Sequence, residues 1–182
     1  MEGRLIRVGI THGDINGVGY EVILKTFADE RISELCTPII YGSQKIAHYH
    51  QKAMELSSVN FKVIKRPEDA VEGKVNLINC VGEDVKVELA KSTPEAGIAA
   101  FKSLEAAITD AKRGSLDTIL TAPINKFNIQ NEAFHFSGHT EYLEEHFDDS
   151  GKYRSLMILM KESLRVALVT GHIPLSEVKN SL

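Results

Sequence analysis

The sequence has only two cysteines, Cys36 and Cys80. That is too few for the disulfide framework that staples small secreted domains. Proline (5) and glycine (13) are too scarce, against 43% hydrophobic residues, for a disordered or collagen-like chain. No apolar run approaches the length that spans a bilayer, so no membrane partner is expected. Met1-Glu2-Gly3-Arg4 enters a strand-like run without the apolar region of a signal peptide. Basic charge is not in excess: 21 Lys and Arg stand against 25 Asp and Glu, a formal net charge of -4, which argues against nucleic acid as a partner. Internal repeats, low-complexity segments and charge blocks are also missing. These absences leave an ordinary globular protein, expected to be cytoplasmic, whose 182 residues suffice to bury a real core.

What is present alternates between strand and helix signals. Leu5-Ile6-Arg7-Val8-Gly9-Ile10 is short, rich in β-branched residues and stopped by Thr11-His12-Gly13-Asp14, a buried strand running into a turn. Val18, Val22, Ile23 and Phe27 recur at helical spacing over 18–29. Residues 37–41 read as a second strand, after which Ser43 can cap a helix reaching about 55. Residues 61–64 and 74–79 are short strand candidates, and 80–90 has no clear pattern. The strongest helix covers 94–113. Ser92-Thr93-Pro94-Glu95 opens it, Phe101, Leu104, Ile108 and Ala111 give it an apolar stripe, and Gly114 closes it. A strand over 117–121, a helix over 141–147 and a hairpin from 155–160 and 164–170 follow. A last helix signal opens at Pro174, close to Leu182. It reads either as a short terminal helix or as a sign that the chain is the front part of something larger.

This alternation predicts a three-layer α/β fold with a mostly parallel sheet, made mixed by the late hairpin. Apolar patterning lapses over 123–131, so the expected division is a first α/β domain over 1–125 and the beginning of a second over 126–182.

Ligands of open α/β sheets bind beyond the carboxyl ends of the strands. Three predicted strand ends carry chemistry there: Thr11-His12, Thr121-Ala122-Pro123 and Thr170-Gly171-His172. The loop Gly13-Asp14-Ile15-Asn16-Gly17-Val18-Gly19 is neither a dinucleotide fingerprint nor a P-loop; it reads as a ligand loop or as tight helix-strand packing. Ser137-Gly138-His139-Thr140 stands at a helix start, where free N–H groups and the helix dipole favour an anion, or where an ordinary N-cap is needed. His172 lacks the sequence partners of a metal motif. His48 and His50, two apart on one helix, are read as solvent-facing. Cys36 and Cys80 are read as buried small hydrophobes. Lys126 can meet a phosphate or carboxylate, or simply solvate a loop.

In this order along the chain, the motifs resemble the 4-hydroxythreonine-4-phosphate dehydrogenase (PdxA) family of vitamin B6 (pyridoxal 5'-phosphate) biosynthesis. The resemblance is carried by the loop from Ile10 to Glu21, by Thr121-Ala122-Pro123-Ile124-Asn125-Lys126, by Phe136-Ser137-Gly138-His139-Thr140-Glu141-Tyr142-Leu143, and by 166–175 with Thr170-Gly171-His172-Ile173-Pro174-Leu175. His12, Ile15 and Tyr20 depart from it, standing where the family commonly has proline, and Ala122 and Gly171 replace a common glycine and threonine. The resemblance covers about the front half of a family member and implies a truncated fold similar to isocitrate and isopropylmalate dehydrogenases. It implies NAD or NADP as hydride acceptor, a divalent metal (Zn, Mg or Co) with His172 as one of three histidine ligands, and His139 and Thr140 as substrate-binding residues. It further implies a homodimer with a shared active site, acting on a phosphorylated small molecule. The expected reaction oxidises 4-phosphohydroxy-L-threonine and then decarboxylates it. A related dehydrogenase of phospho-threonate or phospho-erythronate, a non-catalytic remnant that keeps only anion binding, and a metal hydrolase are the alternatives. The 182-residue chain alone is expected to be inactive.

Overall fold

The computed structural model describes residues 4–56, 59–148, 150–152, 154–170 and 173–181. The chain divides into two compact units, Met1–His139 and Thr140–Leu182.

The first unit is built on a five-stranded sheet. Its strands are β1 (Arg7–Thr11), β2 (Thr37–Gly42), β3 (Phe61–Ile64), β4 (Val75–Asn79) and β5 (Thr118–Thr121), in the order β3-β4-β2-β1-β5 and all parallel. The helices are α1 (Gly19–Phe27), α2 (Ile32–Leu35), α3 (Gln44–Ala53) and α4 (Pro94–Lys112). β2 is buried at all six positions, as a strand covered on both faces must be. Ile40 packs with Ile23, Leu24 and Phe27 of α1. Ile39 and Tyr41, on the opposite face by strand alternation, pack with Ala107 of α4. Leu77 of β4 meets Ile46 and Ala47 of α3. Helices on both faces give the expected three layers.

Local signals explain the element ends. The Ser43 side chain accepts from the Ile46 N–H, and the Thr93 hydroxyl accepts from the Ala96 N–H. Gly114, at φ +76°, follows α4 in the left-handed conformation that glycine adopts without steric cost. Leu104 and Ile108 of the expected stripe are buried, but Phe101 and Ala111 are only partly so. The buried face of α4 is otherwise small: Ala96, Gly97, Ala99, Ala100, Ser103 and Ala107.

In the second unit, α5 (His139–Phe147), whose first residue closes the first unit, precedes the hairpin β6 (Ile158–Lys161) and β7 (Leu164–Ala167). The hairpin is antiparallel, as expected, but it forms its own two-stranded sheet, so the larger sheet is purely parallel rather than mixed. A 3₁₀ turn over Leu175–Glu177 then leads into α6 (Val178–Ser181). Among the described residues, no helix is long and apolar enough to cross a membrane.

Candidate functional site

β1 and β5 are parallel neighbours that end in register, Thr11 beside Thr121. Their exits are bonded to each other: the Ala122 N–H donates to Thr11 O (3.2 Å) and the Asp14 N–H to Pro123 O (2.9 Å). This approach needs glycine. Gly13 sits at φ +68°, and a Cβ there would lie 2.2 Å from Pro123 O; a Cβ on Gly19 would lie 2.0 Å from His12 O. The glycine loop therefore serves close packing at these two positions. Asp14 Oδ1 accepts from the Asn16 N–H (2.9 Å). The Asn16 side chain, buried, accepts from the Glu88 N–H (2.7 Å) and donates to Lys91 O (2.9 Å) and Thr93 Oγ1 (3.1 Å). That network organises the stretch in which the sequence shows no pattern. β7 lies in a different, antiparallel sheet, so the expected common edge of three strand ends holds for β1 and β5 alone.

Under this edge the structure assembles a polar stack that sequence reading missed. The rings of His12 and Tyr20 stack at 5.3 Å, and those of Tyr20 and His50 at 5.1 Å. All three side chains are buried. His50 Nε2 lies 2.8 Å from Ile15 O, so His50 faces the core and not solvent. The signal was available: Ile46 lies four residues earlier on the buried stripe of α3. His48 is exposed as expected, while Cys36 and Cys80 are only partly buried. His12 Nδ1 lies 2.7 Å from Gly13 O, its Nε2 is buried without a partner, and burial pushes its pKa down to about 4. Tyr20 OH accepts from the Ser43 N–H at 3.0 Å, and burial raises its pKa.

The loop beyond β5 leads to the predicted anion residues. Asn125 Oδ1 accepts from the N–H groups of Phe127 (3.0 Å) and Asn128 (3.3 Å), closing a turn that exposes Lys126. Phe134, fully buried, packs edge-on against Phe101 of α4 and Phe136. Gly138 is buried, and His139 is half-buried at the first position of α5. Burial, and then the charge of Lys126, hold the His139 imidazole below its ordinary pKa, and its Nε2 is buried without a partner. Thr140, next on the helix and exposed, lines a cleft of about 420 Å³ in the second unit with Leu143, Glu144, Phe147, Arg154 and Met157. His172 lies outside the described residues. Among the described residues no group of three His, Cys, Asp or Glu could hold a metal ion, so the expected metal centre is not assembled from them.

A parallel three-layer sheet whose adjacent strand ends open into polar loops defines an α/β protein of the kind that takes a small ligand at the carboxyl edge of its sheet. Comparison with known proteins narrows the class. Residues 34–182 match the family described as pyridoxal phosphate biosynthetic protein PdxA. The chain is 54% identical over its whole length to the 4-hydroxythreonine-4-phosphate dehydrogenase of Bacteroides thetaiotaomicron, of which it covers 49%. It is 37% identical over 96% of its length to that of Aquifex aeolicus, covering 52% of it. Its fold superposes with a TM-score of 0.83, at 28% identity, on the crystal structure of a 4-hydroxythreonine-4-phosphate dehydrogenase from Burkholderia phymatum, over 98% of this chain and 53% of that one. The chain belongs to the PdxA family, and it spans about half the length of these relatives.

Proposed function

We propose that this chain supplies part of an NAD- or NADP-dependent dehydrogenase that oxidises 4-hydroxythreonine 4-phosphate in pyridoxal 5'-phosphate formation, with His139 and Thr140 as substrate-binding residues. The relatives' activity supports the reaction. The observation that carries the site is His139: an imidazole opening a nine-residue helix, its Nε2 buried and without a partner. With its pKa lowered, the ring is neutral at pH 7 and can donate one N–H to a phosphate oxygen. The first backbone N–H groups of α5 have no partner within the helix and favour an anion there. The Thr140 hydroxyl adds a further donor. When bound, the nicotinamide accepts the hydride; the protein binds and orients the alcohol that gives it up.

His172 belongs to the same proposal as a ligand to a divalent metal (Zn, Mg or Co). The described residues by themselves do not assemble that metal's site. A first α/β domain over 1–125, the start of a second over 126–182, and a homodimer with a shared active site complete the reading. In the full-length protein, His139→Ala and Thr140→Val should each lower kcat/KM for 4-hydroxythreonine 4-phosphate by roughly 10-fold or more, the worth of a hydrogen bond to a charged group. Wild-type kcat/KM in both variants would overturn the assignment.

A further inference from the structure

The segment that enters His139 leaves a loop, 126–136, whose form is set by a few contacts. On its upstream arm Ile129 is fully buried, and its N–H donates to Asn125 O (3.2 Å). At its apex the backbones of Asn131 and Phe134 exchange both hydrogen bonds (3.2 and 3.1 Å). The Asn131 side chain accepts from the Ala133 N–H (2.8 Å) and donates to Ile129 O (2.9 Å). Gln130 lies between these two fixed points, so its backbone is held on both sides while the residue itself is exposed. Its side chain turns back across the loop. The amide nitrogen donates to Lys126 O (3.2 Å) and to Phe136 O (3.0 Å), so one nitrogen joins the two ends of the loop and closes its neck. Phe136 stands three residues before His139, whose Nε2 is buried and has no partner. With that nitrogen unbonded, the place of the ring depends on the backbone that carries it.

We propose that Gln130 is a positioning residue for His139: by closing the neck of the 126–136 loop it fixes the backbone that presents the imidazole to the substrate. The inference rests on the reading of His139 as a substrate-binding residue and goes beyond it by naming what holds that residue in place. A hydrogen-bonding group that is already ordered binds more tightly than one that must be ordered by its ligand. A displacement of about 1 Å at such a group can cost about 100-fold in rate. The clasp must donate to two carbonyl oxygens at once. A carboxamide NH2 has two hydrogens and can do so; a carboxylate of the same shape has none and is repelled by both carbonyls.

The test compares the full-length wild type, Gln130→Ala, His139→Ala and the double variant in their kinetics with 4-hydroxythreonine 4-phosphate. It also follows the His139 ring C–H resonances by NMR in the ligand-free wild type and Gln130→Ala. Gln130→Ala should raise KM about 5-fold, the worth of about one net hydrogen bond, with kcat less affected. Gln130→Glu should lose as much, although it keeps the size of the side chain. In the His139→Ala background Gln130→Ala should have no further effect on kcat/KM, because the two residues act through one ring; a residue that served only the stability of the loop would give additive losses. Without ligand, Gln130→Ala should shift or broaden the His139 ring signals. Because Gln130 is exposed, the variants should keep the wild-type thermal midpoint; Gln130→Glu takes the place of Ala in each comparison if Ala lowers it. Unchanged His139 signals, an unchanged KM or additive losses in the double variant overturn the proposal. If the His139 signals ignore Gln130 while wild type oxidises 4-hydroxythreonine 4-phosphate, the dehydrogenase reading survives and the positioning role falls. If those signals move as expected and wild type oxidises nothing, the positioning role stands and that reading falls.

Discussion

His12 carries no charge in the folded protein at neutral pH, and its burial makes that neutrality a condition of stability. Its pKa near 4 lies below the ordinary value of 6.5, with burial the main cause, partly offset by the bond to the Gly13 carbonyl. Between those values the unfolded chain binds a proton that the folded chain refuses. Stability is therefore fully present above about pH 6.5 and is lost as pH falls toward 4, by about 3 kcal/mol at 1.36 kcal/mol per unit. His50, also lowered by burial, acts in the same direction. Urea midpoints should fall measurably between about pH 7.5 and about pH 5. His12→Phe, which keeps a ring against Tyr20 and removes the titrating group, should flatten the dependence. A midpoint that is level across this window in the wild type would contradict the account. The same stack explains the departures from the family motif. His12, Ile15 and Tyr20 stand where proline is common, and here all three are fully buried. His12 stacks on Tyr20, and His50 reaches the Ile15 carbonyl. They form one packed unit, not three separate changes.

Gly97 sets how closely α4 approaches the loop that carries Lys126. A Cβ there would lie 1.8 Å from Asn128 O and 2.4 Å from Asn128 C, both backbone atoms that cannot rotate away. Gly97→Ala should gain about 1 kcal/mol of helix propensity. It should lose more than that to the displaced loop, leaving a net destabilisation of about 2 kcal/mol. Chemical denaturation checks the sign; a stabilised Gly97→Ala protein would show that the close approach is dispensable. Such contacts mark the limit of what sequence reveals. β3 was legible to the residue, and Ser43 and Gly114 announced the ends of their helices, because capping residues and short β-branched runs are local properties. His139 and Thr140 at a helix start were legible for the same reason. The segregation of the hairpin into its own sheet and the Asn16 network joining the glycine loop to 88–93 were not. Each depends on partners tens of residues away that no local pattern names.

The hairpin leaves its apolar side chains uncovered. Ile158, Leu159 and Met160 on β6 and Leu164 and Val166 on β7 are all exposed, and because alternate residues point to opposite faces, both faces of this small sheet are apolar. A two-stranded sheet is marginal by itself, and open strand edges invite pairing with another chain. A net charge of -4 gives little repulsion to oppose that contact. The 182-residue chain on its own should therefore bind a hydrophobic dye and associate with rising concentration. Leu159 and Val166 are cross-strand partners, so Leu159→Lys combined with Val166→Glu places opposite charges opposite each other and preserves a favourable pair. Sedimentation should show that this double variant associates less than the wild-type chain, with dye fluorescence reduced in parallel. If instead the wild-type chain stays monomeric at about 100 μM and binds no dye, its exposed apolar surface is too dispersed to act as a patch.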